Sequence, residues 1–252
     1  MCSLVILLRP GADWPVIVAA NRDEMLDRPW DPPGRHWPDR PNLVAGRDRL
    51  AGGSWLGRND EGVVAGILNR VDSLGPRPGF RSRGELVLEA LDHADAVEAA
   101  AALGALDPRA YRSFNLVVAD NRDAFWLRHA GPGAPAGRVE VMKLPPGTSM
   151  ITAHDRNDPA SARIRRHLPR FEAAPPPDPG APDGTGWAGW EALLASREGD
   201  TPRDAMAIVG GDGFGTVSSS LLALPAPGAA ARPVWRFAAG LPGVAPFRPV
   251  TA

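Results

Sequence analysis

Cysteine, lysine and tyrosine each occur only once in these 252 residues. A single thiol permits no internal disulfide and no thiolate metal cluster. The lone lysine, Lys143, excludes most lysine-based chemistry and leaves arginine to carry nearly all the positive charge. With 28 Pro and 28 Gly, that arginine bias fits a GC-rich, bacterial genome. The formal net charge is −1, without the basic footprint that a nucleic-acid partner requires. No run approaches the roughly 20 apolar residues of a membrane span. Leu4 to Leu8 is apolar but stops at Arg9-Pro10, with no basic segment before it and no small-residue cleavage site after it. It therefore does not read as a signal peptide, and the expected setting is the cytoplasm, as a soluble protein. The five histidines are scattered, none pairing with another at metal-ligand spacing, so neither metal nor cofactor is expected.

What the chain does have is its one cysteine at position 2, directly behind the initiator. Aminopeptidases remove Met1 when the next residue is small, which would make Cys2 the mature N-terminus. A thiol of reference pKa about 8.5 would then share a residue with an α-amine near 8, a nucleophile beside its own general base. The alternative is a small buried hydrophobe at a strand end.

Residues 3–9 and 15–20 read as a hairpin around Pro10-Gly11, and 54–58 with 63–68 as a second. Between them, residues 27–51 read as a long ordered loop on which Trp30 and Trp37 pack. Ser82, with Glu85 three residues on, is expected to cap a helix that breaks near His93 before a second one. Strands are expected at 114–119, 124–128, 139–144 and 149–153. An arginine-rich helix follows at 158–171, with Arg163, Arg165, Arg166 and Arg170 as a basic face, usually solvated but able to meet an anionic group. Residues 173–186 are too poor in apolar side chains to pack and are expected to be a flexible insertion. Helices at 187–195 and 202–209 and strands at 215–224 and 234–238 complete one domain spanning 1–252. Separate blocks of strands and helices point to an α+β, layered arrangement.

Asn21-Arg22-Asp23-Glu24 ends the strand that pairs with the one following Cys2, so the hairpin should return it beside the thiol. A neighbouring cation lowers a thiol's pKa, and a carboxylate can hold an amine. The competing reading is a solvated strand end with local ion pairs.

These residues, with Gly53-Ser54-Trp55-Leu56-Gly57, Ala65 to Arg70, Ser82-Arg83-Gly84, Phe114-Asn115-Leu116-Val117 and Gly215 to Ser219, resemble the NRDE-motif family. That family includes the transport and Golgi organisation type 2 proteins. It is similar in turn to the N-terminal nucleophile hydrolases, which implies a four-layer αββα sandwich, and to the bile-salt and penicillin V amidases. The resemblance implies that Cys2 attacks an amide carbonyl, Asp23 contacts its α-amine and Asn69 joins the oxyanion hole. Arg22 is also expected to be catalytic, but it departs from the amidase pattern: the amidases place their arginine three residues before the Asp, where this chain has Ala20. In place of their Thr-Asn pair stands Ile151-Thr152-Ala153-His154-Asp155, so the second oxyanion donor is either absent or replaced by His154. Val217 follows Gly-Thr where many members carry Arg. The remaining motif residues, Asn21, Glu24, Arg70, Asn115, His154 and Ser218, are expected to contact substrate.

Two functions follow. The first is an N-terminal cysteine hydrolase of non-peptide C–N bonds such as N-acyl amides. The second is a non-catalytic ligand-binding or trafficking protein for haem, acyl lipid or acyl-coenzyme A. Both expect a small-molecule partner, and homo-oligomerisation is left open.

Overall fold

In a computed structural model, residues 2–131 and 138–251 are described. The strands run in chain order as β1 (Ser3–Leu8), β2 (Val16–Met25), β3 (Trp30–Gly34), β4 (Leu43–Asp48), β5 (Leu56–Asn59) and β6 (Val64–Asn69). Helices α1 (Glu85–Leu91) and α2 (Ala96–Gly104) precede β7 (Phe114–Ala119), β8 (Ala124–His129), β9 (Glu140–Lys143) and β10 (Gly147–Ile151). After α3 (Ala162–Ala173) and α4 (Ala188–Leu194) come β11 (Phe214–Leu224), β12 (Val234–Ala238) and the short β13 (Arg248–Pro249).

The chain divides into two compact units, one from residues up to Arg28 and Pro145–Val250, the other from Pro29–Leu144. The first holds a six-stranded antiparallel sheet in the order β10-β1-β2-β11-β12-β13. Alternate residues of its central strands (Val5, Leu7, Ile17, Ala19, Leu221, Ala223) form a core with Ile164, Phe171, Trp187, Trp190 and Leu194 of the helical layer. Phe171 and Trp190 meet edge-to-face at 5.2 Å, an arrangement worth about 0.5–1.5 kcal/mol beyond area burial. The second unit holds a seven-stranded antiparallel sheet in simple sequence order, β3 to β9. There Leu43, Ala65, Leu116, Val118 and Leu127 pack against Leu86, Leu91, Ala99 and Leu103 of α1 and α2. No described helix is long and apolar enough to cross a membrane.

Several expectations change. Residues 27–51 hold two strands, β3 and β4, rather than one loop. Pro32 and Pro33 hid β3, but it lies at a sheet edge, where a missing N–H costs little. Trp30 meets Trp55 edge-on at 5.8 Å, and Gly46 is bare because a Cβ there would lie 2.3 Å from the Trp55 ring. Ser82 is not the N-cap of α1. That position falls on Gly84, whose carbonyl accepts the Ser54 N–H at 2.9 Å. A Cβ on Gly53 would come within 2.4 Å of the Gly84 carbonyl carbon, so the two motifs meet backbone to backbone. Asp95 caps α2 by accepting the Glu98 N–H. The Pro/Gly-rich segment at 173–186, expected to be flexible, carries a 3-10 helix (Pro182–Trp187) and a hydrogen bond from Asp178 N–H to the Gly186 carbonyl. Residues 202–209 are helical only at Pro202–Asp204. Beyond it the chain bends through Ala205–Ala207, and Ile208 exchanges hydrogen bonds with Thr216 instead of with its own turn.

Candidate functional site

The charged tetrad lies on β2 of the first unit's sheet, between β11 and β1, the strand that follows the thiol. Ser3 pairs with Asn21 across β1 and β2. Asn21, Arg22, Asp23 and Glu24 pair in turn with Ser219, Ser218, Thr216 and Gly215 of β11, a bulge absorbing Val217. Side chains alternate along a strand, so the tetrad divides by parity.

Asn21 and Asp23 face the helical layer. Asn21 Nδ2 donates to the carbonyls of Leu194 at 2.9 Å and Met206 at 2.8 Å, while its Oδ1 accepts from Ser219 Oγ at 2.6 Å. Asp23 Oδ2 accepts from Arg163 Nη1 at 2.9 Å and Oδ1 from Thr216 Oγ1 at 2.7 Å. The side chains of Asp23 and Arg163 are 0% and 4% exposed, which makes this a buried ion pair. The Thr216 hydroxyl also accepts the Ile208 N–H at 2.8 Å, and Arg163 Nη2 donates to the Arg203 carbonyl at 2.9 Å.

Arg22 and Glu24 point to the other face. Arg22 is buried, with Nη2 3.9 Å from Glu24 Oε2, and Glu24 also lies 3.6 Å from Arg28 Nε. Positions 20 and 22 share this face, so Arg22 presents its guanidinium on the side where Ala20 has none. Ser218, directly across from Arg22, is 1% exposed, and its hydroxyl has no hydrogen-bond partner among the described residues.

Cys2 stands one residue before β1. Its Sγ donates to the main-chain carbonyl of Asp23 at 3.6 Å. Burial pushes the thiol pKa up, the Asp23 charge adds to that, and the terminal amine and Arg22 pull the other way. The thiol is therefore neutral at neutral pH, and attack would require a base. The α-amine exposed by loss of Met1, a residue outside the described ones, is such a base.

The other sequence candidates lie elsewhere. His154 follows β10 in the first unit, its main-chain N–H donating to Thr152 Oγ1 at 3.3 Å. Asn69, Arg70 and Asn115 belong to the second unit. There Arg70 Nη1 donates to Asn115 Oδ1 at 2.7 Å, and Trp126 Nε1 donates to the same oxygen at 3.1 Å. Asn69 closes β6 opposite Phe114, and its oxyanion role rests on the resemblance alone. Among the described residues no group of three or more His, Cys, Asp or Glu could hold a metal ion.

Sequence reading placed Arg163 on a basic face, usually solvated but able to meet an anionic group, and did not find that it is buried against Asp23. The signal was there: Arg163 shares a helical stripe with Ile164, His167 and Phe171, all buried. Arg166 and Arg170 do pair at the surface, with Asp200 and Glu198.

Comparison with solved structures gives the fold. The Caenorhabditis elegans ortholog of N-acylethanolamine-hydrolyzing acid amidase is similar at a TM-score of 0.57 and 12% identity, over 91% of this chain and 95% of that one. Penicillin V acylase from Agrobacterium tumefaciens follows at 0.51 and 15%, over 94% and 83%. A mutant conjugated bile acid hydrolase from Clostridium perfringens gives 0.50 and 10%, over 100% and 97%. At these identities the likeness establishes the fold alone, an α+β fold of the N-terminal nucleophile hydrolase type with two antiparallel sheets. No curated protein matches the chain. The family described as Transport and Golgi organisation 2 matches residues 1–160, and the chain belongs to that family.

Proposed function

We propose that this protein is an N-terminal cysteine amidohydrolase that cleaves a non-peptide C–N bond, of the N-acyl amide type, in a small molecule. The observation that carries this reading is the placement of the one thiol of the chain on the Asp23 carbonyl, at the head of a sheet whose fold is that of amide-cleaving enzymes. Once Met1 is removed, the Cys2 amine takes the thiol proton as Sγ attacks the amide carbonyl. The tetrahedral intermediate collapses with that proton passing to the departing amine, leaving an acyl thioester. Water, deprotonated by the same amine, then releases the acid and restores the thiol. Arg22, on the thiol's side of the tetrad, favours the thiolate as it forms, and Asp23 holds the site through its carbonyl and its charge. In this scheme Ser218, paired with Arg22, supplies a hydroxyl to the substrate.

A thiol whose pKa is raised by burial is less activated as a nucleophile, which leaves a second reading, a non-catalytic ligand-binding or trafficking protein for haem or acyl lipids. Intact mass before and after exposure to a small acylating agent near pH 6.5 separates the two. Loss of Met1 with rapid acylation at one site, slowed in Arg22→Ala, supports the hydrolase. Retained Met1, or acylation no faster than that of a free thiol, removes it and leaves the binding protein.

A further inference from the structure

Asp23 is held from both sides of the sheet. Its main-chain carbonyl takes the Cys2 thiol, and its carboxylate, on the opposite side of the sheet, is clamped by Arg163 from α3 and Thr216 from β11. A buried carboxylate is costly unless paired, and here the guanidinium is buried with it. Arg163 is in turn fixed by the Arg203 carbonyl. One residue thus joins the helical layer to the candidate nucleophile.

We propose that Arg163 is a positioning residue for Cys2: by pairing with Asp23 beneath the sheet it sets the conformation and the charge that the thiol meets above it. This rests on the hydrolase reading for its purpose, but the coupling itself is a property of the thiol. The charged groups acting on Cys2 are Asp23 and Arg22 of β2 and the chain's terminal amine. Of these, Asp23 opposes ionisation and is the one Arg163 compensates. Without Arg163 the Asp23 charge would act on the thiol undiminished. The Thr216 hydroxyl would still donate to that carboxylate.

Iodoacetamide alkylation of Cys2, the one cysteine in the chain, reads that coupling without requiring turnover. Alkylation would be followed by intact mass from pH 6 to 10, alongside thermal unfolding of each variant. Arg163→Lys, which keeps the charge, is expected to share the wild-type midpoint. Arg163→Met is expected to move it up by about one pH unit, slowing alkylation near pH 7.5 about tenfold. An unchanged midpoint in folded Arg163→Met would overturn the proposal, however much its melting temperature had dropped. Should Arg163→Met fail to fold, Asp23→Asn is compared with the double variant Asp23→Asn/Arg163→Met. The guanidinium cannot shed its proton, so the single variant should have the lower midpoint, and equal midpoints would overturn the proposal. An acylation screen on wild-type protein stands apart from both comparisons: its failure removes the hydrolase, while the alkylation shift still decides the role of Arg163.

Discussion

At the scale of single residues, the charged tetrad is two pairs doing different work. Arg22 and Glu24 share the face that bears on the thiol, whereas Asn21 and Asp23 anchor the sheet to the helices beneath it. Asn21 spends both amide hydrogens on carbonyls and its oxygen on a serine hydroxyl, all of them buried. Asn21→Ala would leave those groups unpaired, each at about 1–3 kcal/mol. A total loss of about 3 kcal/mol is expected, with relaxation recovering part of the sum. Asn21→Asp should do no better, because a carboxylate cannot donate to either carbonyl. Urea unfolding of the two variants checks this. Were Asn21→Asp as stable as the wild type, the amide could not be the group that holds Leu194 and Met206.

At the scale of elements, the sequence was most readable where period and chemistry agreed. The hairpin of β1 and β2, the helix pair α1 and α2, and β7 with β8 all fall where apolar periodicity placed them. Edge strand β3 was hidden because Pro32-Pro33 reads as a breaker, and only a sheet neighbour on one side makes it tolerable. The site was legible as residues but not as partners. Cys2 beside the tetrad followed from hairpin geometry, while the Arg163–Asp23 pair joins positions 140 residues apart. No local pattern encodes such a contact; periodicity could reveal only that Arg163 belonged inside. Helix α3 also carries a proline within it, Pro169, exposed to solvent. A proline in a helix interior costs roughly 3 kcal/mol through its missing N–H and its clash with the carbonyl four residues back. Pro169→Ala should therefore raise stability, by about 1–3 kcal/mol. A neutral or negative change in the unfolding midpoint would mean that the helix needs proline at that position to seat Arg163 or Phe171.

At the scale of the whole molecule, titrating groups from both units bound the pH range in which the fold is most stable. His167 and His129 are buried and their pKa values pushed down by desolvation, against which the carbonyls of Glu198 and Tyr111 are only partial compensation. Below the unfolded value of about 6.5 the unfolded chain takes up protons that the folded chain refuses, so stability falls as pH falls. Each histidine can contribute at most about 1.4 kcal/mol per pH unit to that slope. Cys2 and Tyr111 act in the opposite sense. Burial raises both, so the stability they contribute is complete below their unfolded values, about 8.5 and 10, and is lost as pH rises through them. Asp31, held by Arg47 and Arg49, is drawn down to about 2, and its contribution declines only as pH falls below about 4. These signs place maximum stability between about pH 6.5 and 8.5. Urea midpoints at pH 5, 7.5 and 9.5 should show that maximum at 7.5. His167→Gln should flatten the acid side while leaving the alkaline side intact, and Cys2→Ser should do the reverse. An acid slope that survives loss of His167 undiminished would assign it to other groups, and an alkaline slope unaffected by Cys2→Ser would mean that the thiol ionises as readily in the folded protein as in the unfolded chain. That last result would also remove the main physical objection to Cys2 as a nucleophile, because a thiol unhindered by burial needs less help from its own amine.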